Sequence, residues 1–507
     1  MKKKDLLITS FILFTGFLFR IYLLTNQSLW YDEGCTIYYS GGVNLTETIT
    51  RIITIDRYQG ILYHILLFFW RQFLGSSEFT LRFFSVLCST ITIIILFFTV
   101  LNLYGKNKAI ISIFILSFSS YAVYYSQEVR PYSFLILLNT ILLYLFSQSL
   151  KETKETRYID FQIISFSIIC LLNITASLFN ILFILALSLS HLLIYRNIKT
   201  WLKWWIPSGI LSLPVMIFYI TSSFVSHNVS RLHQSILQNI SFVFYGIIVG
   251  TTYGPPMEKL RGTDKIQAIL HYWPHLLLLF SIILIIIISL INTLKDNFKK
   301  QNQKLDYFFI CLFLLSTLLI IFFTVVTKLN LQPRHFYFSL IPVSIILSSL
   351  FTDSRPLLIK GRLFYYTQVS ILLLIGLNLF SIYHYYFDKD YYRDDYRSVG
   401  EYVNKNKDTP AVLLWGNMEV FRYYQCNSII DGHNLDKKDM ADQISKLSKK
   451  SSSVILVINR EFYWGKPEEL IKHMNTCYKL KKKDTYPYFN IYTFQRNIKN
   501  QGNRYVF

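Results

Sequence analysis

Two adjacent acids, Asp32 and Glu33, lie just beyond the first apolar run, in the stretch Gln27-Ser28-Leu29-Trp30-Tyr31-Asp32-Glu33-Gly34. Carboxylates held against a membrane face by flanking aromatics are costly unless something uses them. A base at that depth reaches a group carried on a lipid and takes a proton from an attacking hydroxyl. A second short stretch, Tyr124-Tyr125-Ser126-Gln127-Glu128-Val129-Arg130-Pro131-Tyr132-Ser133, packs an acid and a base among tyrosines. The plain structural reading is a local Glu128–Arg130 ion pair, with Pro131 opening the next helix. A short turn does not need Gln-Glu-x-Arg, however, so Glu128 is also a candidate site acid. A third stretch, Gln332-Pro333-Arg334-His335-Phe336-Tyr337, carries Arg334 where a span re-enters the membrane. Arg334 is either a snorkelling anchor or a phosphate clamp, because guanidinium matches phosphate oxygens in fork geometry. Arg20 admits the same two readings, and there structure or snorkelling is favoured.

These parts suit group transfer from a lipid carrier. Outside the cytoplasm there are no nucleotide-activated sugars, so activated groups arrive on lipid phosphates. The leaving phosphate needs cationic support as charge develops, and the acceptor hydroxyl needs a positioned base. The chain has no nucleotide-binding glycine loop.

The elements that must position these residues are membrane helices. Of the 507 residues, 52% are hydrophobic and 16% charged, against about 25% charged in soluble domains. The mean hydropathy is +0.36. A span needs about 20 apolar residues, and such runs recur at 5–25, 83–103, 108–126, 131–149, 160–177, 178–195, 205–222, 270–293, 306–327, 336–351 and 363–384. The expected class is a polytopic α-helical membrane protein with about eleven spans, the first of them uncleaved. A further run at 60–75 is short and ends at Arg71, and it reads as an interfacial helix in the first outer loop. Aromatics, 17% of the chain, supply an interfacial belt.

The net charge of +21 would point to nucleic acid in a soluble protein. Here Lys2-Lys3-Lys4, Lys106, Lys108, Lys151, Lys154, Arg157, Arg196, Lys199, Lys203, Lys295, Lys299, Lys300, Lys304, Arg355, Lys360 and Arg362 all fall on one side, as the positive-inside rule requires. No nucleic-acid partner is expected. The outer side then holds loops 26–82, 127–131, 223–269 and 328–335 and the tail. Residues 1–384 form the membrane domain. Residues 385–507 form a small exoplasmic α/β domain, with strands at Ala411–Trp415, Val454–Ile458 and Asn490–Phe494 and a helix at Glu468–Tyr478. Residues 223–269 read as a long polar loop. None of the six cysteines forms C-x-x-C, and pairing of Cys426 with Cys477 stays open.

The chain resembles the polyprenyl-phosphate-sugar-dependent glycosyltransferases of the C-type membrane fold, among them the protein O-mannosyltransferases and the aminoarabinose transferases of lipid A. The matching segments are Ser28-Leu29-Trp30-Tyr31-Asp32-Glu33-Gly34, Gly75-Ser76-Ser77-Glu78-Phe79-Thr80-Leu81-Arg82, Tyr125-Ser126-Gln127-Glu128-Val129-Arg130-Pro131-Tyr132, Pro333-Arg334-His335-Phe336, and Asp394-Asp395-Tyr396-Arg397-Ser398-Val399-Gly400-Glu401-Tyr402. The resemblance implies an inverting bacterial enzyme of the plasma membrane, multi-pass, with active site and tail outside. It implies Asp32 as catalytic base, Glu33 beside it as orienter or carrier of the acceptor, Glu128 as a second site acid and Arg334 on the donor phosphate. Arg130, Tyr132, Tyr31 and His335 are further substrate-binding candidates. The donor would be a polyprenyl-phosphate sugar, and the acceptor a lipid, glycan or protein. A divalent ion is the one cofactor left open, with Glu128 and His64 as its candidates. The family's His-Pro-Pro run is replaced here by Asp56-Arg57-Tyr58-Gln59-Gly60.

Two other classes compete. A transporter or flippase for lipid-linked sugars would place ionisable groups near the midplane and show paired repeats. Here the acids cluster at one face and no repeat is visible. A non-catalytic scaffold would use the tail to bind polymer.

Overall fold

A computed structural model describes residues 2–55, 60–149, 156–223, 236–256, 259–260, 265–294, 301–327, 331–352, 360–433, 435, 440–447, 451–461, 467–474 and 478–496. Asp56-Arg57-Tyr58-Gln59, Lys151, Lys154, Lys295, Lys299, Lys300, Lys328, Arg355 and Cys477 lie outside the described residues. The chain divides into two compact units. The first comprises Met1–Leu24, Tyr39–Gly254 and Tyr272–Tyr386, and the second Thr25–Tyr38, Pro255–His271 and Phe387–Phe507.

The first unit is helical. Its elements begin with α1 (Lys3–Ile21); α2 (Tyr31–Tyr39), next in the chain, belongs almost wholly to the second unit, and the first continues with α3 (Leu45–Ile55), α4 (Ile61–Leu74), α5 (Glu78–Tyr104), α6 (Lys106–Ser117), α7 (Ser120–Ser126), α8 (Tyr132–Ser149), α9 (Thr156–Ala176), α10 (Phe179–Tyr195), α11 (Ile198–Ser223) and α12 (Ile236–Val249). Helices Trp273–Leu294, Gln301–Thr327, Leu340–Thr352 and Lys360–Phe387 complete it, with a 3-10 turn at Pro333–Ser339.

Each expected span falls on helix. Among the described residues, six helices are long and apolar enough to cross a membrane: Glu78–Tyr104, Ile198–Tyr219, Trp273–Thr293, Gln303–Thr327, Pro333–Thr352 and Arg362–Phe387. The pair α6 and α7, bent by 60°, makes a seventh if taken together. Shorter apolar helices occupy Tyr132–Gln148, Phe161–Ala176 and Phe179–Tyr195. The chain is therefore a multi-pass membrane protein, with six or seven of the eleven expected spans qualifying on length and composition.

The run at 60–75 is the 14-residue helix α4. It buries Tyr63, His64, Leu67 and Phe68 and exposes Phe69 and Phe73, a one-sided pattern at helical spacing.

Two expectations need correction. Residues 108–126 are not one straight helix. The break at Phe118–Ser119 is held by Arg20, fully buried, which donates to the carbonyls of Ser117 (3.2 Å) and Leu116 (3.2 Å) and to Ser89 Oγ (2.7 Å). Terminal helix carbonyls need such donors when no water reaches them. Ser119 caps the new helix by accepting from Ala122 N at 3.3 Å. Arg20 thus neither snorkels nor meets substrate. The loop 223–269 is also not wholly irregular, because α12 lies within it. Its 14 residues are too few to span, yet Gly246 is closely packed, since a Cβ there would come 2.7 Å from Pro333 Cγ.

The second unit carries a five-stranded sheet in the order β2-β1-β3-β5-β4. The strands are β1 (Ala411–Trp415), β2 (Ile429–Asp431), β3 (Ser453–Asn459), β4 (Tyr478–Tyr486) and β5 (Phe489–Arg496). β1 runs parallel to both β2 and β3, while β5 is antiparallel to β3 and β4. Val412, Leu414, Val454, Leu456, Ile458, Tyr492 and Phe494 fill the core with Ile444 and Met474 from two helices. The expected helix ends at Met474, and Tyr478 opens β4 instead. Cys426 is a buried free thiol.

Candidate functional site

In the second unit, residues 28–38 sit on the sheet's loops. The Ser28 hydroxyl donates to Asp394 O at 2.8 Å and accepts from Tyr396 N at 3.0 Å. Leu29 N donates to the Tyr424 hydroxyl at 2.8 Å. These bonds fix the approach to α2, whose first turn bears both acids.

Glu33 and Asp32 have different environments. Glu33 is fully buried, and its Oε2 accepts from Trp30 N at 3.2 Å. This is the return half of a capping box, in which the third helical residue reaches back to the cap. Asp32 is half-buried and open in part to solvent. It also stands in the first turn of α2. The two acids are thereby sorted: Glu33 holds the turn, and Asp32 is the one with access.

Around them stand Tyr31, Arg460 and Asp394. Burial chiefly raises the Tyr31 phenol, with Cys35 and Asp32 adding to it, so it stays protonated. The Arg460 guanidinium lies 5.3 Å over the Trp30 ring and 5.2 Å over Tyr488, and its Nε donates to Asp394 Oδ1 at 3.0 Å. Burial works against its charge, but Asp394 overcomes this, with Tyr488 and Asp32 adding, so its pKa is raised. Sequence reasoning assigned no role to Arg460 or Asn417.

The first unit holds the other candidates. Gln127 anchors the second short turn: its Nε2 donates to Tyr22 O (2.8 Å) and Arg20 O (3.0 Å), and its Oε1 accepts from the Tyr385 hydroxyl (3.1 Å). Ser85 Oγ donates to Glu128 O at 2.6 Å, and the Glu128 side chain is fully buried. Arg130 is buried and lies 5.8 Å over the Tyr132 ring. Tyr121, Tyr125, Tyr132 and Tyr337 form a continuous set of ring contacts between 4.5 and 6.5 Å. Tyr121 is the member within electrostatic reach of both Glu128 and Arg334. It also donates to Pro333 O at 2.8 Å. The second short turn and the Pro333–Ser339 turn therefore meet around one tyrosine, which the sequence reading did not single out.

Arg334 is half-buried. His335 stacks on Phe179 at 4.9 Å, and its Nδ1 accepts from Gln332 N at 3.3 Å, so its ring is engaged in holding the turn. His64 is fully buried beside Tyr63 and within electrostatic reach of Arg130, and among the described residues neither ring nitrogen has a hydrogen-bond partner. Among the described residues no three His, Cys, Asp or Glu side chains gather to hold a metal ion.

The chain combines apolar helices with a small C-terminal sheet domain. Residues 60–219 match the family described as dolichyl-phosphate-mannose-protein mannosyltransferase. The chain is similar to AglB, an oligosaccharyltransferase from Archaeoglobus fulgidus solved with an inhibitory peptide and a dolichol-phosphate: TM-score 0.51, 12% identity, 91% of this chain and 70% of that one. It is similar to ArnT from Cupriavidus metallidurans in the apo state, with TM-score 0.51, 12% identity, and 96% and 97% of the two chains covered. ArnT bound to undecaprenyl phosphate gives 0.50, 12%, 96% and 97%. No curated protein matches it in sequence. The resemblance read from the motifs is borne out in the fold and in the matched segment.

Proposed function

We propose that the protein is an inverting glycosyltransferase that moves a sugar from a polyprenyl phosphate to a hydroxyl-bearing lipid, glycan or protein at the outer face of the plasma membrane. The observation that carries this is the pair of acids in the first turn of α2, with Glu33 buried and accepting from Trp30 N and Asp32 partly exposed. The meeting of Glu128 and Arg334 around Tyr121 supports it, as does the likeness to ArnT, solved with undecaprenyl phosphate.

In this reading the acceptor oxygen attacks the anomeric carbon of the donor sugar. The bond from that carbon to the phosphate oxygen breaks with inversion, and the polyprenyl phosphate leaves with the electron pair. The acceptor proton passes to Asp32, whose half-exposed carboxylate is the general base. Arg334 supports the charge that develops on the leaving phosphate. Glu128 serves as a second acid that orients the donor sugar, and no step requires a metal.

Reconstituted protein supplied with a lipid-linked sugar and an acceptor mixture tests this. Transfer by the parent and its loss in Asp32→Asn, with both proteins equally folded, is the expected result. Mass spectrometry of envelope glycans with and without the protein then reveals the sugar and its acceptor. Equal transfer by Asp32→Asn would remove the base role.

A further inference from the structure

In open α/β sheets, ligands settle outside the carboxyl ends of parallel strands, where neighbouring strands send the chain in opposite directions. The second unit has such a place between β1 and β3. The chain leaves β1 for β2 on one side of the sheet, and leaves β3 for β4 on the other. The two residues that flank this crevice are Asn417, just past β1, and Arg460, just past β3. Both reach the turn that bears Asp32.

Asn417 is bound on both sides of its amide. Its Oδ1 accepts from Glu419 N at 2.9 Å, capping the helix Met418–Tyr423, and its Nδ2 donates to Tyr31 O at 2.8 Å. The cap fixes which end is oxygen, so the nitrogen must face the Tyr31 carbonyl. That carbonyl belongs to the peptide plane that leads into Asp32. Arg460 grips the other side of the turn, with its guanidinium over Trp30. Its backbone is left-handed at φ 49°, a conformation a non-glycine residue keeps only when its surroundings enforce it. Asp394, itself bonded to Ser28 through its carbonyl, anchors the guanidinium.

We propose that the β1–β3 crevice is the seat of the chain's own acid-bearing turn, and that Asn417 and Arg460 are positioning residues that set the direction of the Asp32 carboxylate. The proposal rests on the reading of Asp32 as the base. It gives the C-terminal domain a part in the chemistry without contact with substrate.

Asn417→Asp is the first test, in the full-length protein. It keeps the oxygen that caps the helix and removes the donor to Tyr31. Thermal midpoint is expected to fall modestly, because the Tyr31 carbonyl loses a donor. Amide exchange over residues 30–38 is expected to rise, and kcat to fall about 10–100-fold with donor KM held within about twofold. Arg460→Gln is expected to raise exchange over the same residues, and Arg460→Lys, which keeps the charge, to recover part of the lost kcat. Parental exchange over 30–38 in both Asn417→Asp and Arg460→Gln would overturn the seat. An inactive Asp32→Asn alongside a fully active Asn417→Asp would overturn the positioning role and leave the base reading intact. A fully active Asp32→Asn would instead defeat the base reading and with it any positioning of a base.

Discussion

The hydroxyl of Tyr121 donates a 2.8 Å hydrogen bond to the main-chain oxygen of Pro333. This single bond ties α7, which leads into Glu128, to the turn that carries Arg334. Tyr121→Phe would leave a buried carbonyl without its donor, at a cost of about 1–3 kcal/mol. The expected outcome is a lower thermal midpoint and a donor KM raised roughly 3–10-fold, since misplaced binding groups lose rate steeply. Steady-state kinetics over a donor series, with scanning calorimetry, checks both.

The two acids of the first turn should respond differently to neutralisation. Asp32→Asn is expected to lower kcat about 10²–10⁴-fold, the range for loss of a general base. Glu33→Gln retains an oxygen that can accept from Trp30 N, so its loss should stay within about tenfold, one hydrogen bond's worth. Equal losses in single-turnover assays would show that the capping role of Glu33 has been misjudged.

Removal of the guanidinium at Arg334 should act on the donor. Arg334→Ala is expected to raise donor KM about 10–100-fold, the equivalent of a charge-assisted contact, with acceptor KM little changed. Arg334→Lys should recover only part, because a point charge lacks the fork geometry. Initial rates over both substrates measure the split.

Gly34 follows the two acids and has no room for a side chain. A Cβ there would overlap Val420 Cγ2 and come 2.8 Å from Asn417 Nδ2. Gly34→Ala should therefore lower stability by about 1–3 kcal/mol through overpacking and reduce transfer. Val420→Ala opens space at the same point, so the double variant should recover activity relative to Gly34→Ala alone, a non-additive pair. Urea unfolding and transfer assays on the four proteins of the cycle report it.

The apolar runs made the helices legible, because burial in lipid leaves little choice but helix. The break at Phe118–Ser119 was not legible, since its cause is Arg20, about 100 residues away in sequence. β1, β3 and β5 showed as apolar runs bounded by polar residues. β4 did not: Tyr478-Lys479-Leu480-Lys481-Lys482-Lys483-Asp484-Thr485-Tyr486 is dominated by exposed lysines and owes its form to pairing with β5. Such lysines also keep an edge strand from pairing with other chains. Among the candidate residues, Asp32, Glu33, Glu128 and Arg334 stood out in the sequence because charge next to apolar runs is conspicuous. Tyr121, Asn417 and Arg460 were not, because a tyrosine in an aromatic-rich chain and polar residues in a soluble tail give no local signal.

Residues 25–38 belong to the same compact unit as residues 387–507. Ser28 and its partner Asp394 are separated by 366 positions. At about 5–20 residues per second, a ribosome needs roughly 20–70 s to cover that distance. During all of that time the turn bearing Asp32 has been translated but has nothing to rest against. A still-growing chain thus carries its acids without their final geometry until the segment around Asp394 has been made.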